Sequence, residues 1–134
     1  MKPNLSEQEA ANLSHALAHF TGSDELYKHW LGFQYTDGVK YLADQAQCYW
    51  LIDLIGSYQP KLKNENSQLW IVVVGSNHPF IKPKPGKDAV ITCWNKKPDP
   101  NVKPLLAQHE NTDFPFQEFK LYLKDKILLL PSES

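Results

Sequence analysis

Apolar and polar positions follow two different periods along the chain, and the first of them is helical. Ser6 and Glu9 form a capping-box pattern, and apolar side chains then recur every three or four positions as far as Phe20. Gly22 follows, and glycine readily adopts the left-handed backbone that ends many helices. The pattern therefore predicts a first helix over residues 6–21.

The segment that follows allows two interpretations. Short β-favouring runs flank Asp37 and Gly38, which favours a hairpin with strands over residues 33–36 and 39–42. In the alternative interpretation, Thr36 is a helix N-cap and a helix begins directly after it. We favour the hairpin, because Asp-Gly between two such runs is the strongest short-range signal for one.

A second helix is predicted over residues 45–58. Asp44 stands at its N-cap position with Gln47 three residues later as a capping partner, and Pro60 ends it. Apolar side chains lie almost all the way round this segment. We therefore expect it to be the buried helix of the fold.

The second half of the chain has the patterns of β-strands. One continuous β-branched run predicts a strand covered on both faces, and a later run alternates between apolar and polar residues. The predicted strands cover residues 69–74, 89–94, 105–111, 119–124 and 127–130. Short turns between neighbours favour an antiparallel meander. The sequence therefore predicts an α+β fold: two main helices packed on a mostly antiparallel meander sheet of about five strands, plus the short hairpin in the N-terminal half.

Length and composition fit one domain. The 134 residues, 42% of them hydrophobic, suffice for one core and contain no linker, so we expect a single globular domain over residues 1–134. Cys48 and Cys93 lie in apolar runs, where reduced thiols are commonly buried. The sequence has neither a signal-peptide pattern nor an apolar run that could span a membrane. We therefore expect a cytoplasmic protein with no membrane partner.

Asp53 is the one residue that the pattern singles out as a candidate for catalysis. It interrupts the apolar residues of the helix that is predicted to be buried. A buried carboxyl group must be hydrogen-bonded, paired or protonated, and in a cleft it can serve as an acid or a base. The sequence names no partner group for it, so a structural hydrogen-bond acceptor or a partly exposed residue is the simpler interpretation.

Residues 82–103 form a basic stretch with six lysines and two aspartates around Trp94. Lysines interleaved with an aromatic residue can bind single-stranded nucleic acid through phosphate contacts and stacking. The chain has no arginine and a net charge of −1, which argues against specific nucleic-acid recognition. Trp94, Lys96 and Lys97 are kept as candidate binding residues together with Trp30, because exposed tryptophans anchor many interfaces. The simpler interpretation of the two tryptophans is that they cap the ends of the core.

The sequence predicts no metal site and no cofactor. His15 and His19 share one face of the first helix, but the zinc-protease motif places a glutamate directly after the first histidine, where this chain has Ala16. Cysteine and carboxylate ligands are missing at suitable spacing. Phosphate-binding glycine loops and nucleophile motifs are missing as well.

Four short segments together resemble a known family. They are residues 35–43, 49–53, 112–115 and 128–133. In combination they are similar to a family of small, mostly cyanobacterial proteins known only as a domain of unknown function, and the resemblance covers nearly the whole chain. It implies one compact domain in the cytoplasm of a bacterium. It implies no activity, cofactor or catalytic residue.

The sequence therefore predicts an uncharacterised protein that acts as a non-catalytic interaction or regulatory module. Its expected partner is another protein or a second copy of the chain, which an open sheet edge or an aromatic patch can accept. One alternative is a small enzyme with a site around Asp53. Another is weak binding of nucleic acid through residues 82–103.

Overall fold

The structure is a computed structural model that describes residues 6–21, 25–112 and 114–133. Over these residues, three α-helices lie on one face of a seven-stranded sheet. The helices are α1 (Glu7–Leu17), α2 (Asp37–Ala46) and α3 (Tyr49–Ser57). The strands are β1 (Leu26–Lys28), β2 (Gln34–Thr36), β3 (Ser67–Val74), β4 (Ala89–Trp94), β5 (Leu106–Glu110), β6 (Glu118–Lys124) and β7 (Ile127–Leu129).

The sheet is mixed, and its strand order is β1-β2-β7-β6-β3-β4-β5. All neighbours are antiparallel except β2 and β7, which run parallel. The α+β class and the five strands predicted in the second half of the chain are confirmed. The predicted meander is wrong, because β6 pairs with β3 and not with its chain neighbour β5. The strands β1 and β2 extend the sheet at one edge, and β2 coincides with the first strand of the predicted hairpin. A third helix is also present, so the predicted counts of helices and strands were too low.

The helices cover one face of the sheet, which we call the helix-covered face. Val39, Leu42 and Ile55 from the helices are at most 1% exposed, and they join a cluster with alternate residues of the strands. Trp70 and Val72 of β3 belong to this cluster. The continuous apolar run of β3 is therefore explained by burial on both sides, as the sequence predicts.

Loops cover the other face, which we call the loop-covered face. Ile71 and Val73 point to this side and pack with Val90, Trp94 and a loop residue, Ile81. Because the covering segments have little regular structure of their own, their amide groups need other acceptors. Histidine side chains supply some of them on this face.

His78 and His109 are those histidines. The Nδ1 atom of His78 accepts the N–H groups of Phe80 and Ile81 at 3.2 and 2.9 Å. The Nδ1 atom of His109 on β5 accepts the N–H of Lys84 at 3.2 Å. These bonds fix the segment between β3 and β4 over the sheet.

Of the hairpin predicted around Asp37, the first strand is present as β2, but the turn and the second strand are wrong because α2 begins at Asp37. Thr36 is the N-cap of α2: its side-chain oxygen accepts an amide hydrogen bond from the first turn and donates to Glu133 Oε1 at 2.7 Å. Gly38 lies inside the helix, where a Cβ atom would stand 2.7 Å from the Leu130 side chain. The glycine is required by the close approach of the residues that follow β7, and a hairpin turn has no part in it.

The second helix predicted from Asp44 is also wrong in its limits. Helix α2 continues through Asp44 and ends at Gln47, which is a C-cap with a left-handed backbone at φ 51° and ψ 44°. Helix α3 starts two residues later. Pro60 lies beyond α3, in a 3₁₀ turn over Gln59–Lys61. The helix predicted over residues 45–58 is therefore divided between the end of α2 and the whole of α3.

The capping box predicted for the first helix is confirmed. Ser6 Oγ accepts the Glu9 N–H at 3.1 Å, and the Glu9 carboxylate accepts the Ser6 N–H at the same distance. The helix ends at Leu17, earlier than predicted. Gly22, the expected helix terminator, lies outside the described residues.

Candidate functional site

The loop between β1 and β2, residues 29–33, carries the most exposed large hydrophobic side chain of the described residues. Trp30 is 79% exposed. Backbone hydrogen bonds close the loop: the His29 N–H donates to the Phe33 carbonyl at 2.7 Å, and the Gly32 N–H donates to the His29 carbonyl at 3.1 Å. Gly32 has φ 97°, a region that favours glycine. This Trp30 loop is therefore a tight turn with a defined backbone.

His29 attaches the Trp30 loop to helix α3. Its Nδ1 accepts the Leu31 N–H at 3.1 Å, so the ring proton is on Nε2, which donates to Asp53 Oδ1 at 2.6 Å. The His29 side chain is 6% exposed, and its ring stacks on Trp30 and Phe33 with centroids 5.6 and 4.6 Å apart. Since both ring nitrogens are engaged, the imidazole has no free lone pair to take up a substrate proton.

A glycine on α3 makes the second contact with the loop. A Cβ atom on Gly56 would lie 2.8 Å from the Phe33 ring and 2.9 Å from the Leu31 side chain. The missing side chain lets the loop pack directly on the helix. Gly56 and Asp53 are three residues apart and share one face of α3, so the Trp30 loop is held at two neighbouring points.

Aromatic side chains continue from Trp30 along this edge of the sheet. Tyr27 and Tyr35 face each other across β1 and β2, and their ring centroids are 5.7 Å apart. Tyr49, at the start of α3, is 39% exposed. We call Tyr27, Trp30, Tyr35 and Tyr49 the aromatic surface.

Two charged residues of α2 border the aromatic surface. Lys40 Nζ lies 2.8 Å from Asp44 Oδ2 and 5.5 Å from the centroid of the Tyr27 ring. The Tyr49 hydroxyl donates to Asp44 Oδ1 at 2.5 Å. Burial and this hydrogen bond raise the pKa of Tyr49 to about 12, and the bonds from Lys40 and Tyr49 lower the pKa of Asp44. The rim of the surface is thus charged and already paired within the chain.

A cavity of about 320 Å³ opens beside the Trp30 loop. Leu31, Phe33 and Leu123 form part of its apolar wall, and Lys63 and Lys126 also line it. Its volume is at the lower end of the range for ligand pockets and is sufficient for a side chain of a partner.

Asp53 is a partly exposed residue of α3, which is one of the interpretations that the sequence allows. Its side chain is 55% exposed. The structure brings it together with His29, a residue that the sequence did not connect to it.

The four candidate binding residues separate into two groups. Trp30 is exposed, but Trp94 is 3% exposed, so the idea that Trp94 offers a free contact surface is wrong. Its ring is covered by Phe80 and Ile81, and its Nε1–H donates to Thr92 Oγ1 at 2.8 Å. Lys96 and Lys97 are exposed in the turn after β4, at the opposite end of the sheet from Trp30.

Metal-binding and thiol chemistry find little support in the described part of the chain. No group of three or more His, Cys, Asp or Glu side chains there could hold a metal ion. His15 and His19 are exposed, with ring centroids 4.7 Å apart. Cys48 and Cys93 are buried free thiols, and burial raises the pKa of each to about 12. None of the described helices is both long and apolar enough to cross a bilayer.

Sequence reasoning missed His29 and Tyr27, and it placed Tyr35 in a strand without a role in a site. Tyr27 lies in β1, and a strand of three residues gives too little periodicity to recognise. Asp53 and His29 are 24 residues apart and belong to different elements. Only the fold brings them together.

The fold and the site define an α+β protein with three helices, a seven-stranded mixed sheet and an aromatic surface at one sheet edge, over the residues described. The model of DUF6876, a family of unknown function, matches residues 11–134. The chain belongs to this family, which confirms the resemblance to a family of unknown function seen in the sequence. No curated protein and no solved structure matches the chain.

Proposed function

We propose that this protein is a non-catalytic interaction module that binds another protein through its aromatic surface, with Trp30 as the anchor. One observation carries the proposal: a tryptophan that is 79% exposed stands on a loop fixed by hydrogen bonds and ring stacking. Tryptophan is enriched among the residues whose truncation most weakens protein interfaces. Because the loop is already ordered, binding costs little conformational entropy.

The composition of the surface supports a protein partner. Interface cores are enriched in tyrosine and tryptophan, and their rims are polar. Three tyrosines and one tryptophan form the aromatic surface, and the Lys40–Asp44 pair lies at its border. The cavity beside Leu31 offers a place for one side chain of the partner.

The partner that we propose is a different protein with an aliphatic contact surface. A homodimer would place two aromatic surfaces against each other around a twofold axis. The experiment must distinguish such a homodimer from a complex with a different protein. We further propose that the interaction takes place in the cytoplasm of a bacterium. The resemblance to a mostly cyanobacterial family and the two buried free thiols support that setting.

Site-specific photo-crosslinking in the host cell tests the proposal. A benzophenone amino acid replaces Leu26, which is 42% exposed on the edge strand β1, in the chain with native Trp30 and in the Trp30→Ala variant. We expect a discrete adduct that Trp30→Ala reduces strongly, since losing such an anchor costs about 2 kcal/mol, or roughly thirtyfold in Kd. Mass spectrometry then identifies the partner.

The matched control is Val102→Ala, because Val102 is 41% exposed in the loop before β5, at the other end of the sheet. It should leave the adduct unchanged. An adduct with twice the mass of the chain, together with a dimer in sedimentation equilibrium, would replace the proposed partner by a second copy. Equal adducts from the native chain and Trp30→Ala would refute Trp30 as the anchor.

The alternative of a small enzyme around Asp53 predicts a different result. If Asp53 only positions the Trp30 loop, Asp53→Asn keeps an oxygen that accepts the His29 Nε2–H and should retain the adduct, whereas Asp53→Leu should reduce it. An acid or base would not tolerate either change. If the adduct is retained in Asp53→Asn and reduced in Asp53→Leu, the result supports Asp53 as a residue that positions the Trp30 loop.

A further inference from the structure

The two loops that flank β4 form a groove on the loop-covered face. Its floor includes Thr92, Ala107 and His109, and its walls include Lys82 on one side and Val102 on the other. The groove has a volume of about 170 Å³ and is open to solvent. The basic stretch that is continuous in the sequence thus folds around one depression of the sheet. This groove lies at the end of the sheet opposite the aromatic surface.

The two loops that form the groove are rich in lysine. Six lysines of the two loops are exposed, and none of them belongs to an ion pair within the described ranges. They are Lys82, Lys84, Lys87, Lys96, Lys97 and Lys103. Both aspartates of the stretch accept loop amides: Asp88 Oδ1 accepts the Thr112 N–H and Asp99 Oδ1 accepts the Asn101 N–H, each at 2.8 Å. Asp99 also lines the groove, so one negative charge stands beside Lys82 there. The six lysines still outnumber the two aspartates of the stretch.

The groove also offers apolar contacts and an open strand edge. Val102 and Leu105 are 41% and 37% exposed beside it. Among the described strands, β5 is the last in the sheet and pairs with β4 alone. An exposed edge strand can accept an extended peptide, whose alternate side chains then face the same side as the groove.

We propose that this groove binds an extended acidic peptide segment of another protein, with an aliphatic side chain in the cavity and carboxylates against Lys82, Lys84 and Lys103. The charge complementarity supports this occupant, since Lys82 lines the groove and the two loops that form it carry six exposed lysines against two aspartates. The groove is separate from the aromatic surface, so this proposal does not depend on the proposed function.

The observations favour an acidic peptide over single-stranded nucleic acid. Bases bind such grooves by stacking on exposed aromatic faces. The aromatic ring of the basic stretch, Trp94, is 3% exposed, and the Phe80 ring meets it edge to face at 6.5 Å. The Phe80 ring also lines the groove but is only partly exposed, whereas Val102 and Ala107 offer exposed aliphatic surface that matches the side chains of a peptide.

Fluorescence anisotropy with defined probes tests the proposal. The probe is a labelled peptide of about 12 residues in which glutamate alternates with leucine, a length that spans an edge strand and its flanking loops. The competitors are the same peptide with lysine in place of glutamate and a poly-dT oligonucleotide of similar length. We expect the acidic peptide to bind and its affinity to fall about tenfold as salt rises from about 50 to about 300 mM.

Charge reversal locates the binding. Lys82→Glu, Lys84→Glu and Lys103→Glu in one chain should weaken the acidic peptide about tenfold or more. The matched control reverses three lysines that are exposed away from the groove, Lys28, Lys61 and Lys63, so that the net charge changes equally. It should change the affinity by less than about twofold, because screened charges act over about 10 Å.

A variant without a charge change tests the cavity. Ala107→Leu narrows the groove floor and should weaken the acidic peptide while thermal unfolding stays unchanged, since Ala107 is exposed. The proposal is overturned if the acidic peptide does not bind at low salt, or if both charge reversals weaken it equally. If poly-dT binds more tightly than the acidic peptide, and only the charge reversal at Lys82, Lys84 and Lys103 abolishes that binding, the groove is assigned to nucleic acid instead.

Discussion

The two faces of the sheet are closed in different ways. On the helix-covered face, α2 and α3 satisfy their own backbone groups and insert side chains such as Ile55 that are completely buried. On the loop-covered face, Ile81 comes from an irregular segment whose amides depend on histidine acceptors. The backbone groups of a helix bond to one another, whereas the backbone groups of a loop need partners such as side chains. The helix-covered face should therefore carry most of the global stability, while the loop-covered face can vary its lysines with little cost.

The largest expected effect compares two isoleucines. Ile55→Ala should lower the free energy of unfolding by about 4 kcal/mol, and Ile81→Ala by only about 2 kcal/mol, because a loop can relax into the space and a packed helix cannot. Ile55 is 0% and Ile81 is 4% exposed, so burial alone does not produce the difference. Urea denaturation with an unchanged m-value measures both. Equal losses would show that the two faces are equally rigid.

An intermediate effect is expected from the histidine acceptor. His78→Leu leaves the N–H groups of Phe80 and Ile81 without their partner and should cost about 1–2 kcal/mol. Hydrogen exchange of these two amides should accelerate more than exchange in β3. His15→Leu serves as the control, because His15 is exposed on α1. If exchange of the two amides stays slow in His78→Leu, the loop does not depend on that acceptor.

The smallest expected effect on stability compares Lys40, which is paired with Asp44, with Lys84, which has no ion pair in the described ranges. Lys40 is paired on the helix side, and the hydrogen bonds from Lys40 and Tyr49 lower the pKa of Asp44 below its ordinary value of 3.8. The folded state thus favours the ionised carboxylate, and this stability is present above that value and lost as the pH falls through the lowered pKa. Asp44→Asn should cost a few tenths of a kcal/mol at neutral pH, since the pair is exposed.

Urea midpoints at several pH values measure this difference. The native chain and Asp44→Asn should converge at low pH, while Lys84→Gln, on the other face, should show no such pH-dependent difference. A gap between the native chain and Asp44→Asn that persists in acid would exclude the ion pair as its source.

Much of the fold could be predicted because its signals are local. The capping box at Ser6 and Glu9 and the β-branched run of β3 act over a few residues, and both predictions are confirmed. The segment at Thr36 shows where local signals end, since a hairpin and a helix N-cap fit the same residues. The contact that accompanies the helix is with Glu133, 97 residues away. A prediction from short sequence windows cannot include this distant contact, so it could not decide between the hairpin and the helix.

The candidate site was predictable only in part, for the same reason. Trp30 could be selected by its residue type, but its exposure depends on the loop that His29 holds against α3. Trp94 has a similar polar neighbour in the sequence, yet the segment around Ile81 folds over it. Exposure is set by what other parts of the chain cover, so the same type of residue in the same local pattern has two different fates.

The parallel pairing of β2 with β7 bears on how the protein is made. A ribosome releases residues 34–36 long before residues 127–129, so β2 has no neighbour on that side while the intervening chain is synthesised. The Ser132 hydroxyl then bonds the Leu17 carbonyl across 115 residues. Pairings of such large sequence separation form slowly. The far edge of β2 is thus closed only after nearly all of the chain has emerged, whereas the contacts that hold the Trp30 loop on α3 need residues 29–56 alone.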